Sequence, residues 1–179
     1  MDHELIARAR RGDAAAQDAL VRAVAPGLVR LARHLGCSNE DSEELVSDTL
    51  YRGIVRLRTL RDDAKLGAWL RQILVRLWRD RLRRRRQLLR LDELPHAPAA
   101  GAAGPDAGVI EAELRERAGA AIAALPSGQR AVIALWLERG SIGEIAEVLG
   151  STPDRVKANL WHARQRLARD LRGYLEDSE

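Results

Sequence analysis

Residues 153–169 place side chains suited to base edges beside side chains suited to phosphates. At 100° per residue, the face opposite the apolar positions carries Ala158, Trp161, His162 and Gln165. The residues that flank this face are Arg155, Lys157, Asn159, Arg164 and Arg166. Side-chain amides hydrogen-bond to base edges, whereas cationic groups pair with phosphates. We therefore predict a DNA-recognition helix, with Ala158, His162 and Gln165 facing the bases.

The residues before this helix predict the scaffold that it needs. Ser141 and Glu144 have the spacing of a capping box, and helical spacing follows in Ile142, Ile145, Ala146 and Leu149. Gly150 suits the left-handed turn that ends a helix, and Thr152 with Pro153 suits the start of the next one. The predicted inner side of that next helix is Val156, Leu160, Ala163 and Leu167. The pattern is typical of a helix-turn-helix, although two packed helices with a solvated basic face would look similar.

A second basic surface is predicted on a long helix at residues 66–91. The N-terminal half of this helix carries an apolar stripe, which consists of Leu66, Trp69, Leu70, Ile73, Leu74 and Leu77. Arginines follow at three- and four-residue spacing along one side, namely Arg76, Arg79, Arg83, Arg86 and Arg90. Residues 58–65 have no apolar period and are predicted to form a loop. A loop followed by an aligned arginine stripe favours nucleic-acid contact over a merely solvated face.

The predicted helix at residues 43–57 has an unusual outer face. Its inner stripe consists of Leu45, Val46, Thr49, Leu50, Gly53, Ile54 and Leu57. The opposite face carries Glu44, Ser47, Asp48, Tyr51, Arg52 and Val55. A tyrosine and a valine among charged residues fit a protein-binding surface about as well as they fit isolated exposed residues.

Charge and composition divide the chain into three parts. Residues 1–91 contain 20 basic and 12 acidic residues, whereas residues 111–179 contain 10 basic and 11 acidic residues. Between them, residues 92–110 are rich in Ala, Pro and Gly and have no apolar period, which is typical of a flexible linker. The lack of phenylalanine and the abundance of Ala, Leu and Arg favour helices. We predict an all-α chain with two small helical domains, residues 1–91 and 111–179.

The remaining helix boundaries follow from caps and helix breakers. A short helix is predicted over residues 4–11, and Asp13 can cap a helix that continues through Pro26 to Leu35. Either Ser38 or Asp41 can cap the helix that ends near Leu57. In the C-terminal domain, residues 109–125 and 129–139 predict two helices that pack against the helix-turn-helix, with core positions at Val132, Ile133, Leu135 and Trp136.

No pattern in the sequence indicates catalysis, a cofactor or a metal. We find no Ser/His/Asp arrangement, no paired carboxylates on a shared helical face and no Gly-rich phosphate loop. Cys37 is the only cysteine, and with His34 it provides too few ligands for zinc. No apolar run approaches the roughly 20 residues of a membrane span, and no signal-peptide pattern is present. We expect no catalytic residues, no metal, no cofactor and a cytoplasmic location.

A series of short motifs resembles the extracytoplasmic-function (ECF) sigma factors of bacterial RNA polymerase. The segment from Gly12 into the Ala-rich helix, residues 44–50 (ELVSDTL) and residues 68–73 (AWLRQI) are similar to the second region of that family. Residues 125–130, 141–149 and 156–164 are similar to its fourth region. Each motif is weak alone, but together, in this order around a linker, they are specific.

The resemblance implies three binding surfaces and a further partner, an anti-sigma factor. The helix at 43–57 would bind core RNA polymerase through Glu44, Ser47, Asp48, Tyr51 and Arg52. The loop at 58–65 and the helix after it would open and bind the minus-ten promoter element through Arg61, Asp62, Asp63, Lys65, Trp69, Arg76, Arg79 and Arg83. The helix at 153–169 would bind the minus-thirty-five element through Arg155, Lys157, Ala158, Asn159, His162, Arg164, Gln165 and Arg166.

A different class of protein, a helix-turn-helix regulator with a helical dimerisation or sensor domain, explains residues 111–179 equally well. It does not explain why the other domain carries the basic excess, with Trp69 beside a polar loop and an arginine stripe. A regulator is typically a dimer on a palindromic site, whereas a sigma factor is a monomer that copurifies with core polymerase. Oligomeric state and copurification therefore distinguish the two hypotheses.

Overall fold

The computed structural model describes the backbone of residues 3–92, 109–138 and 140–176. Every regular element in these ranges is helical, which confirms the predicted all-α fold. Two 3-10 turns occur at Leu57–Thr59 and Asp63–Lys65, and the helices are α1 (His3–Arg10), α2 (Ala14–His34), α3 (Asn39–Arg56), α4 (Leu66–Asp92), α5 (Val109–Ala124), α6 (Ser127–Leu137), α7 (Ile142–Leu149) and α8 (Pro153–Glu176). Most of the predicted linker and the side chain of Arg90 lie outside the described residues.

Helices α1 to α4 form an N-terminal unit whose caps follow the sequence closely. The Asp13 carboxylate accepts a hydrogen bond from the Ala16 N–H at 3.0 Å, and the Ser38 hydroxyl accepts one from the Asp41 N–H at 3.0 Å. Ser38, rather than Asp41, is therefore the cap of α3. Helix α2 continues through Pro26, which lies in the interior of the helix.

The predicted inner stripe of α3 packs into the core of this unit. Leu45, Val46, Thr49 and Gly53 are buried, and Leu50 and Ile54 pack against them from partly buried positions. The buried Thr49 hydroxyl donates to the Leu45 carbonyl at 2.7 Å, so its burial leaves no unpaired donor. The core-facing side of α3 is thereby fixed, and its opposite side faces outward.

The predicted loop at residues 58–65 is more ordered than expected, because α1 holds it in place. The Arg10 guanidinium donates to the carbonyls of Leu57 and Leu60 at 3.4 and 3.3 Å and pairs with the Asp63 carboxylate. The Asp62 side chain caps the second 3-10 turn by accepting from the Ala64 N–H at 3.0 Å. Arg10 lies about 50 residues away in sequence, so local periodicity could not indicate this contact.

Helices α5 to α8 form a C-terminal unit that contains the predicted helix-turn-helix. The capping box at Ser141 and Glu144 is present, and Gly150 adopts the left-handed conformation with φ of 58°. Val156, Leu160 and Ala163 are buried against the rest of the unit, and Leu167 packs at its edge. α8 continues seven residues beyond the predicted end at residue 169.

One predicted core position in this unit is wrong. Trp136 is 38% exposed, and the Arg164 guanidinium lies 5.2 Å from the centre of its ring. Val132 and Leu135 already fill the inner arc of α6, and Trp136 lies 100° beyond Leu135 around the helix. The indole is therefore covered by a cation at the surface instead of packing in the core.

We expect Ser141→Ala to lower the free energy of unfolding by about 1 kcal/mol, because the capping hydroxyl is lost. The Ser141 N–H and hydroxyl donate to the Glu144 carboxylate, each at 2.8 Å, and hold the pKa of that carboxyl below its usual range. Chemical denaturation at neutral pH measures the change. Ser151→Ala, in the turn after α7, is the matched control, and an equal effect of both variants would contradict the capping role.

Candidate nucleic-acid interface

The recognition face of α8 is at the surface as the sequence predicts. Ala158, Trp161, His162 and Gln165 are all exposed, with 59% of Trp161 accessible. The rings of Trp161 and His162 meet edge to face with centroids 4.8 Å apart. The imidazole therefore stands beside a large apolar surface that lies outside the core.

The cations around this face differ in how they are held. Arg155, Lys157, Arg164 and Arg166 are exposed, whereas Asn159 is half-buried. Lys157 lies 3.4 Å from the Asp154 carboxylate, and Arg164 lies over the ring of Trp136. The helix thus presents positive groups on both flanks of the recognition face, with Arg155 and Arg166 on one flank and Lys157 and Arg164 on the other. Arg164 is partly oriented before any ligand binds.

A basic cleft lies against α4, on the side that carries the predicted arginine stripe. It has a volume of about 730 Å³, and its polar lining includes Arg52, Arg56, Gln72, Arg76, Arg79, Asp80 and Arg83. Trp69 contributes an aromatic surface to the same cleft. Burial lowers the pKa of the Arg79 guanidinium, and Arg83 pairs with Asp80 at 2.8 Å. A space lined by five arginines and one tryptophan suits a phosphate-bearing single strand.

The predicted loop residues divide into two groups. Arg61, Asp62 and Lys65 line a second, smaller cleft of about 200 Å³ beside Trp69. Asp63 does not join them, because its carboxylate pairs with Arg10 and His3, and the Arg10 hydrogen bond lowers its pKa. Asp63 therefore stabilises the loop by binding side chains of α1 instead of lining this cleft.

The outer face of α3 forms a third surface. Tyr51 is 72% exposed and Val55 is also exposed, while Glu44 and Ser47 flank them at the surface. The Arg81 guanidinium of α4 binds the Glu44 carboxylate at 3.1 Å and the Asp48 carboxylate at 2.8 Å. Both acids of this face are thus oriented by one residue of the neighbouring helix.

Comparison with known proteins identifies the family. A model of Sigma-70 region 2 matches residues 20–87, and a model of Sigma-70, region 4, matches residues 115–167. The ECF RNA polymerase sigma factor SigM of Mycobacterium tuberculosis is 34% identical over 175 residues, covering 97% of this chain and 86% of that protein. The chain belongs to the ECF sigma factors. The sigma factor SigW of Bacillus subtilis is 25% identical over 181 residues, covering 93% and 95% of the two chains.

Solved structures show the same fold for this sigma factor. The sigma factor RpoE, in complex with the anti-sigma factor NepR from Bartonella quintana, matches with a TM-score of 0.74 and 22% identity, over 87% of this chain and 96% of that one. CnrH, in complex with the cytosolic domain of CnrY, matches with a TM-score of 0.71 and 26% identity, over 96% and 97%. As an ECF sigma factor, the protein acts with core RNA polymerase in promoter recognition, and the regulator hypothesis is not favoured.

Sequence reasoning missed several residues of these surfaces in the sigma factor. Arg56 and Gln72 line the basic cleft, although both share a helical face with predicted members: Arg56 follows Arg52 by four residues, and Gln72 precedes Arg76 by four. That spacing could have indicated them. Arg81 could not have been found in this way, because its pairing depends on how α3 and α4 pack. Arg52, predicted for polymerase binding, also lines the basic cleft.

Proposed function

We propose that this sigma factor uses three surfaces, one for core polymerase and two for promoter DNA. The outer face of α3 binds core polymerase, the basic cleft on α4 binds the minus-ten element, and the recognition face of α8 binds the minus-thirty-five element. The observation that carries the proposal is the cleft, where five arginines and Trp69 line one space. The boundaries proposed for the two functional domains are residues 1–91 and 111–179.

The cleft has the groups that a protein needs for an opened DNA strand. Duplex DNA hides its base faces, so recognition of a melted element requires an aromatic surface for the bases and cations for the phosphates. Trp69 supplies the surface, and Arg76, Arg79 and Arg83 supply the cations along one side of α4. Arg61, Asp62 and Lys65 extend this surface from the loop, while Asp63 contributes by fixing the loop.

The recognition face of α8 suits double-stranded DNA in the major groove. Ala158, His162 and Gln165 lie at the centre of the exposed arc, where they can meet base edges. Arg155, Arg164 and Arg166 lie at its sides, together with Lys157 and Asn159, where they can meet phosphates. Base contacts give specificity and phosphate contacts give affinity, so the two groups should be separable by mutation.

We expect His162→Ala to change the preferred base at one minus-thirty-five position, at a cost of roughly 1 to 3 kcal/mol there, without lowering the melting temperature. Arg166→Ala should instead weaken binding to all sequences alike and reduce the salt slope by about one. Selection of holoenzyme on randomised minus-thirty-five sequences measures the base preference, and binding measured over a range of salt concentrations gives the affinity and the salt slope. Identical sequence preferences for wild type and His162→Ala would remove His162 from the base contacts.

The partners and location follow from the same proposal. The two structural matches are complexes with NepR, an anti-sigma factor, and with the cytosolic domain of CnrY, which supports binding of an anti-sigma factor by this chain as well. No helix in the described ranges has the length and apolar character to cross a membrane. We infer a non-enzymatic protein of the cytoplasm, where polymerase and promoters are found. Copurification with core polymerase as a monomer tests this against the regulator hypothesis.

A further inference from the structure

One arginine of α1 binds the loop at residues 58–65 at both ends of its exposed part. The Arg10 guanidinium donates to the carbonyls of Leu57 and Leu60 at 3.4 and 3.3 Å. The same guanidinium pairs with the Asp63 carboxylate, whose side chain is only 11% exposed. A single side chain from α1 therefore connects three positions of this segment to the body of the N-terminal unit.

The loop has few other connections to the N-terminal unit. Among residues 58–65, all of which the structure describes, Leu60 is the buried one. The Arg58 side chain returns to α1, where it donates to the Arg10 carbonyl at 3.3 Å. Helix α1 is itself anchored, because Ile6 is fully buried in the core. The position of the loop within this unit thus depends on Leu60 and on its bonds to α1.

The two residues between the bonded positions are ones that we assign to DNA. Arg61 and Asp62 are exposed, and they lie between Leu60 and Asp63, both of which bind Arg10. Their side chains line the smaller cleft of about 200 Å³. They also line a cleft of about 660 Å³ on the α1 side of the loop, to which Arg10 contributes. Arg10 thus fixes the chain immediately before and immediately after the exposed pair.

We propose that Arg10 is a positioning residue for the minus-ten element, because it holds Arg61 and Asp62 where these side chains meet the bases of the opened strand. The proposal rests on the proposed function of the loop. It gives α1 a part in base selection, although within the described residues no part of α1 lines the basic cleft or the smaller cleft. Selective binding requires side chains held to within about 0.5 Å, and a loop that must become ordered on binding loses affinity.

A guanidinium group has the geometry that this role needs. Its planar fork donates to several acceptors at once, whereas an ammonium group is a point charge on a flexible stem. Arg10→Lys should keep the attraction to the Asp63 carboxylate while losing bonds to the loop carbonyls. Arg10→Gln removes the charge as well. The two variants should therefore form a graded series, with the larger effect in Arg10→Gln.

The test uses holoenzyme assembled from core polymerase and the full chain that carries Arg10→Gln or Arg10→Lys. Arg11→Gln is the matched control, because the exposed Arg11 is the next residue and pairs with Glu4 instead of the loop. Permanganate reactivity over time measures the rate of open-complex formation. Selection on promoters randomised over the minus-ten element measures base preference, while a pull-down and thermal melting measure polymerase affinity and stability.

We expect Arg10→Gln to slow open-complex formation roughly tenfold, since a misplacement of about 1 Å can cost about a hundredfold. Base preference at the minus-ten element should weaken, whereas polymerase affinity and minus-thirty-five preference should stay as in wild type. Arg10→Lys should be intermediate, and Arg11→Gln should behave as wild type does. If Arg10→Gln fails to fold, Arg10→Lys carries the same test, because it keeps the ion pair with Asp63.

A double-variant comparison shows whether Arg10 acts through the exposed pair. In a chain that already carries Arg61→Ala and Asp62→Ala, Arg10→Gln should change minus-ten preference no further, because the side chains that it positions are absent. A further change of the same size in that background would contradict the positioning role.

Base preferences that are the same in wild type and in both Arg10 variants would overturn the proposal, even if the melting temperature falls. An equal loss of preference in Arg11→Gln would overturn it too. Either result leaves minus-ten recognition by the wild-type holoenzyme intact, so the proposed function stands. A wild-type holoenzyme without any base preference at the minus-ten element would instead overturn both.

Discussion

Tyr51→Ala combined with Asp48→Ala is expected to abolish assembly with core polymerase while leaving the helical content unchanged. Tyr51 is 72% exposed, so its removal costs the core nothing, and exposed tyrosines and arginines dominate the energetics of protein interfaces. Truncation at such a position typically costs upwards of about 2 kcal/mol, or roughly thirtyfold in affinity. Arg81 keeps its second partner, Glu44, so the packing of α3 on α4 should survive.

A pull-down with purified core polymerase measures this effect. The control is Asp18→Ala with Arg22→Ala, which removes an exposed acid and an exposed large side chain from α2 instead of α3. The control should bind as wild type does. Unchanged affinity of the Asp48 and Tyr51 variant would refute polymerase binding by the outer face of α3.

Replacing Arg79 and Arg83 by alanine is expected to weaken open-complex formation strongly, with little effect on polymerase binding. Both guanidinium groups line the basic cleft, whereas Glu44, Asp48 and Tyr51 of the proposed polymerase surface do not. If each contacts one phosphate of the melted strand, the salt dependence should decrease by about 1.4 in logarithmic slope. Permanganate footprinting of the non-template strand over a range of salt concentrations measures both effects.

Arg84→Ala with Arg85→Ala provides the matched control, since it removes two exposed arginines from the same helix at positions outside the cleft lining. The control should retain most of the footprint. Footprints of the Arg79 and Arg83 variant that stay as strong as those of wild type at every salt concentration would remove these residues from the minus-ten contact.

The features that were predictable from the sequence are those fixed by local chemistry. The capping box at Ser141, the left-handed turn at Gly150 and the inner stripe of α8 each depend on residues within one or two turns of helix. The same holds for Asp13 and for the inner stripe of α3. These sequence signals agree with one another. Each of these residues either pairs with a backbone group at a helix end or buries the apolar side of its helix.

The features that were not predictable depend on contacts between distant segments. Asp63 was predicted to bind the minus-ten element, but Arg10, 53 residues earlier, pairs with it. Arg81 resembled one more arginine of a basic run, but it orients two acids of α3. Trp136 had the spacing of a core residue, yet smaller side chains already filled the inner arc of α6. In each case periodicity gives the face of a helix, and packing between helices decides what that face contacts.

The packing of α7 against α4 belongs to the same class. Nothing in the sequence near Lys65 or Glu147 indicates that they pair, since they are 82 positions apart on opposite sides of the linker. An exposed ion pair alone contributes about 0 to 1 kcal/mol, so most of the attraction between the two units must come from the apolar contacts around it.

The most direct test of the central claim is run-off transcription with purified core polymerase and a library of promoter sequences. The account predicts that this chain confers initiation on templates that share a defined pair of minus-ten and minus-thirty-five elements, and that core polymerase alone gives no product from them. Product that is independent of the chain, or a chain that binds a single palindromic site as a dimer without directing initiation, would contradict it.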